Sequence, residues 1–248
     1  MIDAVDTSTN VKSRLLYMPE RRRIDAEAAL KMAVKCPAGN DQHGEKRNFK
    51  CVEFNGVKFK NEDLSCIAAH YSKFTDCEFE ECNITSSEFY FAELKNCLFK
   101  NCDLSDSSFT FAAVSCIGFF NCILNDADFS FARGNFSCNS CLMRMIDAQN
   151  ADLFLMLSHS DAYDFKANSA SLDLDVFSCN FRIAEFNESI LKGKIVQTDL
   201  TRAEMNHADL SGLELTDSAT RELKTENAIG LDEPADDLES ILNEEQKI

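Results

Sequence analysis

The sequence predicts an all-β solenoid, a chain wound into four-sided coils that stack along one axis. Three regularities predict it. The first has a step of five: Phe49, Phe54, Phe59, Leu64, Ala69, Phe74, Phe79, Ile84, Phe89, Leu94, Phe99, Leu104, Phe109, Val114, Phe119, Leu124 and Phe129 are 17 consecutive positions, and only Ala69 lacks a large apolar side chain. The second is a small residue two places earlier, as at Ser72, Cys77, Cys82, Ser87, Ala92, Cys97, Cys102, Ser107, Ala112, Cys122 and Ala127. The third has a step of 20: Ser87–Ala92, Ser107–Ala112 and Ala127–Ala132 share one pattern, and Cys82, Cys102 and Cys122 share the interval. A helix repeats every 3.6 residues and a flat strand every two. A chain that turns a corner every five residues, and closes a coil every 20, accounts for all three. Stacked coils pair their backbones at about 4.7–4.9 Å, and each coil touches only its neighbours.

The elements follow in order. Residues 1–47 carry nine Lys/Arg and seven Asp/Glu. Pro19 followed by Glu20–Val34 reads as a helix opened by proline and closed at Cys36-Pro37, with Ile24, Ala28, Leu30, Ala33 and Val34 on its apolar side. It would cap the first coil, whose backbone edge is otherwise open, or serve as a docking or targeting segment; residues 38–47 are a polar linker. Residues 48–217 form the solenoid, roughly eight coils and a rod of about 40 Å. The five-residue frame breaks after Phe129, with Gly134, Asn139 and Asn150 where Phe or Leu is expected. It returns in other frames at Leu172 and Phe177, at Phe181, Phe186 and Leu191, and at Leu200, Met205, Leu210 and Leu215. The slipped region 133–180 predicts insertions, bulges or loops at corners, and 133–147 and 154–170 are the candidate recognition loops. Residues 218–248 hold nine acidic and three basic residues, and Leu238, Ile241, Leu242 and Ile248 suggest a short amphipathic helix that caps the last coil or pairs with a second copy.

Four segments carry a resemblance. Cys102-Asp-Leu-Ser-Asp106, Ala127-Asp-Phe-Ser-Phe131, Ala151-Asp-Leu-Phe-Leu155 and Ala208-Asp-Leu-Ser-Gly212 are similar to the A(D/N)LXX unit of pentapeptide-repeat proteins. The resemblance covers about two thirds of the chain and implies a right-handed quadrilateral β-helix. The Cys- and Phe-rich composition also resembles the quinolone-resistance branch. That likeness implies a DNA-mimicking protein that occupies the DNA-binding saddle of a type II topoisomerase.

Charge narrows the partners. A formal net charge of −17 argues against nucleic acid or anionic membrane, both of which need clustered Lys and Arg. It suits a protein with a basic surface. The polar start Met1–Asn10 lacks the basic and apolar regions of a secretory signal, and no stretch reaches transmembrane length. The 12 cysteines suit a reducing bacterial cytoplasm, where those at the small inward position pack as apolar groups; delivery into a host cell is the other location considered.

Chemistry-bearing patterns are sparse. His159, Ser160 and Asp161 are sequence neighbours whose side chains diverge on an extended chain. Cys138 and Cys141 are a lone C-x-x-C without a second pair, and Gly193 lacks the glycine spacing of a phosphate loop. No enzyme, cofactor or metal is expected. Two surface features stand out instead. Tyr71, Phe91, Phe111 and Phe131 lie 20 apart and should form an outward aromatic ladder. It is either a contact strip, or a strip covered from within the chain, as by the 20–34 helix, or one whose rings stack on each other and are tolerated. Glu78, Glu80 and Glu81 cluster, and Glu53, Asp63, Glu88, Glu93, Asp103 and Asp128 precede inward residues. Those carboxylates belong either to the repeat's own bonding or to an acidic, DNA-like face. The expected function is a non-catalytic protein-binding rod, acting as a topoisomerase-binding DNA mimic or as an interaction scaffold or delivered effector.

Overall fold

The computed structural model describes Arg22–Arg23 and residues 48–230. Its 13 strands belong to one parallel sheet wound about an axis. Wall A is a column of single bridges running Asn48, Ala68, Glu88, Ser108, Asp128, Asp147, Lys166, Glu185, Glu204 and Lys224. Ten stacked residues in one column make about nine coils, one more than expected, because the solenoid continues past residue 217 through the bridged Ala219, Lys224 and Ile229. Wall B begins with β2 (Val52–Asn55), β4 (Lys73–Thr75) and β6 (Glu93–Lys95), and wall C with β3 (Lys58–Lys60), β5 (Glu78–Glu80) and β7 (Leu98–Lys100). Wall D is a second bridge column from Asp63 to Ala219.

Except where walls B and C fuse, as described below, each corner is turned by a residue in the left-handed region. Asp106, Asn101 and Asn96, for example, have φ of 58°, 53° and 53°, a conformation that short polar side chains tolerate best. On walls A and D an Asp or Asn before the inward residue fastens the turn. The Asp103 carboxylate accepts from the Ser105 N–H at 3.0 Å and its hydroxyl at 2.6 Å, and Asp128 accepts from the Ser130 N–H at 2.8 Å.

Inside, like residues sit over like. Phe59, Phe79, Phe99 and Phe119 stack at 4.8, 4.5 and 5.0 Å between ring centroids, and Phe89, Phe109 and Phe129 at 4.8 and 4.7 Å. All are fully buried, each stabilising by about 1.5–3 kcal/mol. The small inward residues line a second column. Cys82, Cys102, Cys122 and Cys141 follow one another, and the last three thiols donate to Phe79 O, Phe99 O and Phe119 O in the neighbouring coil. Hydrogen bonding within this column, and then burial, raises Cys82 and Cys122 far above the ordinary thiol range, and the thiols that donate to Cys102 and Cys141 lower those two. Burial holds Cys179 at about 11. These thiols are packing groups.

The slipped region contains no loops. Ala113 pairs with Arg133 and Val114 with Gly134, both 20 apart, but Ile117 pairs with Phe136, 19 apart. From there β9 (Arg133–Asn139), β10 (Asp152–Ser158), β11 (Ser171–Phe177) and β12 (Ile190–Val196) stack at an interval of 19. A bulge between Ile190 and Lys192 restores 20 in β13 (Asp209–Thr216). One residue is lost where walls B and C meet. The left-handed corner found at Asp76, Asn96 and Cys116 has no counterpart in β9 to β11, beyond Gly134 itself, and the two walls fuse into one strand, as they already do in β8 (Ala113–Phe120). The candidate recognition loops 133–147 and 154–170 are therefore strand and bridged wall.

Core volume is kept across the change. In successive coils the inward pair runs Phe74 and Cys77, Leu94 and Cys97, Val114 and Ile117, then Gly134 and Phe136, all buried except the glycine. As one column shrinks its neighbour grows, which is what close packing demands. Gly134 has φ +120°, and a Cβ there would lie 1.7 Å from the Val114 carbonyl oxygen. Only glycine fits.

The expected helix over Glu20–Val34 is corrected where it is described. Arg22–Arg23 is β1, a strand pairing in parallel with Val52 and Glu53. The open backbone edge of the first coil offers extended chain a row of hydrogen bonds, and at these residues that outweighs local helix preference. The remainder of that helix, and the helix expected near Leu238–Ile248, lie outside the described residues.

Candidate partner-binding surface

Wall A carries two outward columns, one at each margin. At its corner with wall B stand Tyr71, Phe91, Phe111 and Phe131, brought together as the spacing predicts. Their rings stack at 5.2, 4.9 and 4.8 Å with planes within 15° of parallel. Tyr71 and Phe91 are half-buried, whereas Phe111 is 46% and Phe131 43% exposed. All four backbones are left-handed, with φ from 55° to 59°. Bulky side chains are outliers in that region, while the other corners are mostly filled by Asn, Asp, Ser and similar residues. Repeat geometry does not ask for rings here. Mutual stacking offsets part of the local cost.

The opposite margin of wall A is acidic. Glu88, Asp128 and Asp147 stand in the bridge column, and Asp106 and Asp126 occupy the exposed corner with wall D. Residues 101–132 contain four acidic residues and no Lys or Arg, so these coils bring no basic residue of their own to answer Asp106 and Asp126. Sequence reasoning passed over those two. Their signal was the same step of 20 that marks the aromatics, read at the corner of the neighbouring wall.

The acidic residues singled out from sequence divide by wall. Glu78 and Glu80 lie on wall C, across the rod from wall A, inside a lattice of lysines. Lys58 Nζ is 3.2 Å from Glu78 and 3.0 Å from Glu80, Lys60 Nζ is 2.7 Å from Glu80, and Lys100 Nζ is 3.0 Å from Glu78. Hydrogen bonds from Lys60 and then Lys58 hold the Glu80 carboxyl down at about 2, and those from Lys100 and Lys58 lower Glu78. Their charge is answered locally, and only Glu81, exposed at the next corner, stands outside the lattice. Asp103 and Asp128 fasten turns, as above. Glu88 meets the His70 ring at 2.7 Å. Within residues 101–132 the four acidic residues, Asp103, Asp106, Asp126 and Asp128, all lie on wall D, wall A or the corner between them. Farther along, Arg144, Arg202 and Lys224 pair with Asp161, Glu222 and Glu204.

The patterns weighed for chemistry are put to structural use. The edge of the His159 ring meets the Phe177 ring at 5.5 Å between centroids. The buried Ser160 hydroxyl donates to Ser158 O and accepts from the Cys141 N–H. Asp161 pairs with Arg144. Cys138 and Cys141 are buried free thiols on adjacent walls. Among the described residues no group of three or more His, Cys, Asp or Glu side chains is placed to hold a metal ion, and no helix is long and apolar enough to cross a membrane. A cleft of about 430 Å³ opens where the corner between walls B and C is lost, bordered by Leu98, Cys116, Phe136, Phe154 and Met156. No acid–base pair faces it.

Residues 72–153 match the family model described as a pentapeptide repeat region. No curated protein matches the chain. Among solved structures, the chain is similar to HetL, a pentapeptide repeat protein involved in heterocyst differentiation regulation from the cyanobacterium Nostoc sp. strain PCC 7120, at 17% identity, over 84% of this chain and 98% of that one, with a TM-score of 0.37. It is also similar to full-length QnrB1, a plasmid-mediated fluoroquinolone resistance protein, at 18% identity, over 92% and 95% of the two chains, with a TM-score of 0.33. Values this low carry nothing about function.

Proposed function

We propose that the chain, whose residues 72–153 match a pentapeptide repeat region, is a pentapeptide-repeat protein and a non-catalytic rod that binds a basic protein surface through wall A, as the DNA-binding face of a type II topoisomerase would offer. One observation carries this reading: acidic residues gather on the corner of wall A over a stretch, 101–132, that contains no Lys or Arg. Two stacked pairs of carboxylates, Asp106 with Asp126 and Asp128 with Asp147, each about 4.8 Å apart along a stiff axis, present their charge without ordering a flexible segment first, so little entropy is lost on docking. A cationic groove that normally receives a phosphate backbone supplies the complementary field. The resemblance of the Cys- and Phe-rich repeats to the quinolone-resistance branch supplies the partner class. The test is a DNA gyrase supercoiling assay run with and without a fluoroquinolone. The chain should inhibit supercoiling or relieve the drug, and the double substitution Asp106→Lys with Asp126→Lys should abolish the effect. Absence of both effects in the unaltered chain overturns the topoisomerase reading.

The aromatic ladder favours a second reading, an interaction scaffold that uses the opposite margin of the same wall. Substituting Phe111→Ser and Phe131→Ser separates the two. Loss of partner binding with the acidic margin intact supports scaffolding, and unchanged binding supports the acidic margin.

A further inference from the structure

The strand Arg22–Arg23 has a defined direction on the open edge of the first coil. It pairs in parallel, Arg22 with Val52 and Arg23 with Glu53, so its N-terminal end faces the side of Cys51. Cys51 is the left-handed corner directly beneath Tyr71, 20 residues below it in the same column as Phe91, Phe111 and Phe131. The N-terminal end of β1 therefore faces the foot of the aromatic ladder. We propose that Val11–Met18 docks along that ladder and covers it in the free protein.

Length, composition and charge agree. Val11-Lys-Ser-Arg-Leu-Leu-Tyr-Met18 holds five large apolar residues, two basic ones and no acid. From the edge strand to Tyr71 is about two coil spacings, roughly 10 Å, and the four steps from Arg22 to Met18 reach about 13 Å. The ladder rises about 15 Å over three further spacings, and eight extended residues reach about 26 Å. The apolar side chains then meet the rings of Phe111 and Phe131, which are 46% and 43% exposed, while Lys12 and Arg14 come within reach of the acidic margin at Asp106, Asp126 and Asp128. This inference stands apart from the topoisomerase reading, since it concerns the ladder and needs no partner. It does imply that a scaffold partner of the ladder must first displace this segment.

The chain contains no Trp, so Phe111→Trp places a single fluorescent indole on the ladder of the otherwise intact protein. Phe177→Trp, on wall C, is the control. With residues 2–18 removed and Arg22–Arg23 kept, acrylamide quenching of the ladder indole should rise at least about twofold, as expected when a ring covered in most molecules becomes free in all. Quenching of the wall C indole should not change. Raising the salt, or substituting Lys12→Glu with Arg14→Glu in the full chain, should move the ladder signal the same way as truncation. Unchanged quenching on the ladder after truncation overturns the proposal. An equal rise at both positions also overturns it, because the segment would then stabilise the whole coil rather than cover the ladder.

Discussion

Truncating Phe79 to Ala tests the stacked interior most sharply. Its ring is fully buried, 4.8 Å from Phe59 and 4.5 Å from Phe99. A buried Phe hides about 150–250 Å², which at about 25 cal/mol per Å² corresponds to roughly 4–6 kcal/mol before the surface Ala retains is deducted. Measured Phe→Ala losses run about 3–5 kcal/mol. Collapse into the gap is hindered, since the rings above and below are held by backbone ladders at fixed spacing, so we expect a loss of about 4 kcal/mol. Phe111→Ala is the matched comparison. That ring has the same kind of stacking, 4.9 Å from Phe91 and 4.8 Å from Phe131, but nearly half of it faces water. Its removal gives up about 1 kcal/mol of ring contact and relieves a bulky residue at positive φ. Urea unfolding followed by far-UV circular dichroism measures both. The two variants should differ by about 3 kcal/mol. Equal losses would refute the assignment of one column to the core and the other to the surface.

Gly134→Ala should destabilise by more than about 2 kcal/mol, because its Cβ would lie 1.7 Å from the Val114 carbonyl; a thermal melt matching the unaltered chain contradicts the glycine's role where the coil interval shortens. Glu80 should titrate near 2 in a carbon-detected NMR titration. Its unfolded value is about 4.3, so the lysine lattice contributes fully above that pH and is lost as the pH falls toward 2; Lys60→Met should move the midpoint upward, and an ordinary midpoint in the intact protein refutes the lattice. Among the described cysteines, Cys66 and Cys116 are exposed and should react promptly with a thiol reagent, whereas Cys82, Cys102, Cys122, Cys138 and Cys141 should react only on unfolding; prompt labelling of the buried column contradicts its packing role.

Much of the architecture could be read directly, because Phe marks one inward position at a fixed step and a solenoid repeats its geometry. The coils from Gly134 onward were harder. Losing one residue per coil slides every later inward position, so a continuous core looks broken in a fixed frame. The interval of 19 was nevertheless present in Leu153, Leu172, Leu191 and Leu210. Arg22–Arg23 could not be foreseen from helix preference, since the open edge that captures them exists only after the first coil forms. The ladder was legible because its members share a column. The acidic surface was not, because whether a carboxylate is answered depends on what stacks above and below it. Lys58, Glu78 and Lys100 meet across coils, while Asp106 and Asp126 stand in coils that bring no basic residue.

Displacement of duplex DNA from a type II topoisomerase measures the central claim directly. The full chain should release bound DNA at low salt, less so as salt screens the contact, and the Asp106→Lys, Asp126→Lys variant should release none while melting like the unaltered protein. Undiminished displacement by that variant, or no displacement by the unaltered chain at any salt concentration, contradicts an acidic margin that docks where DNA lies.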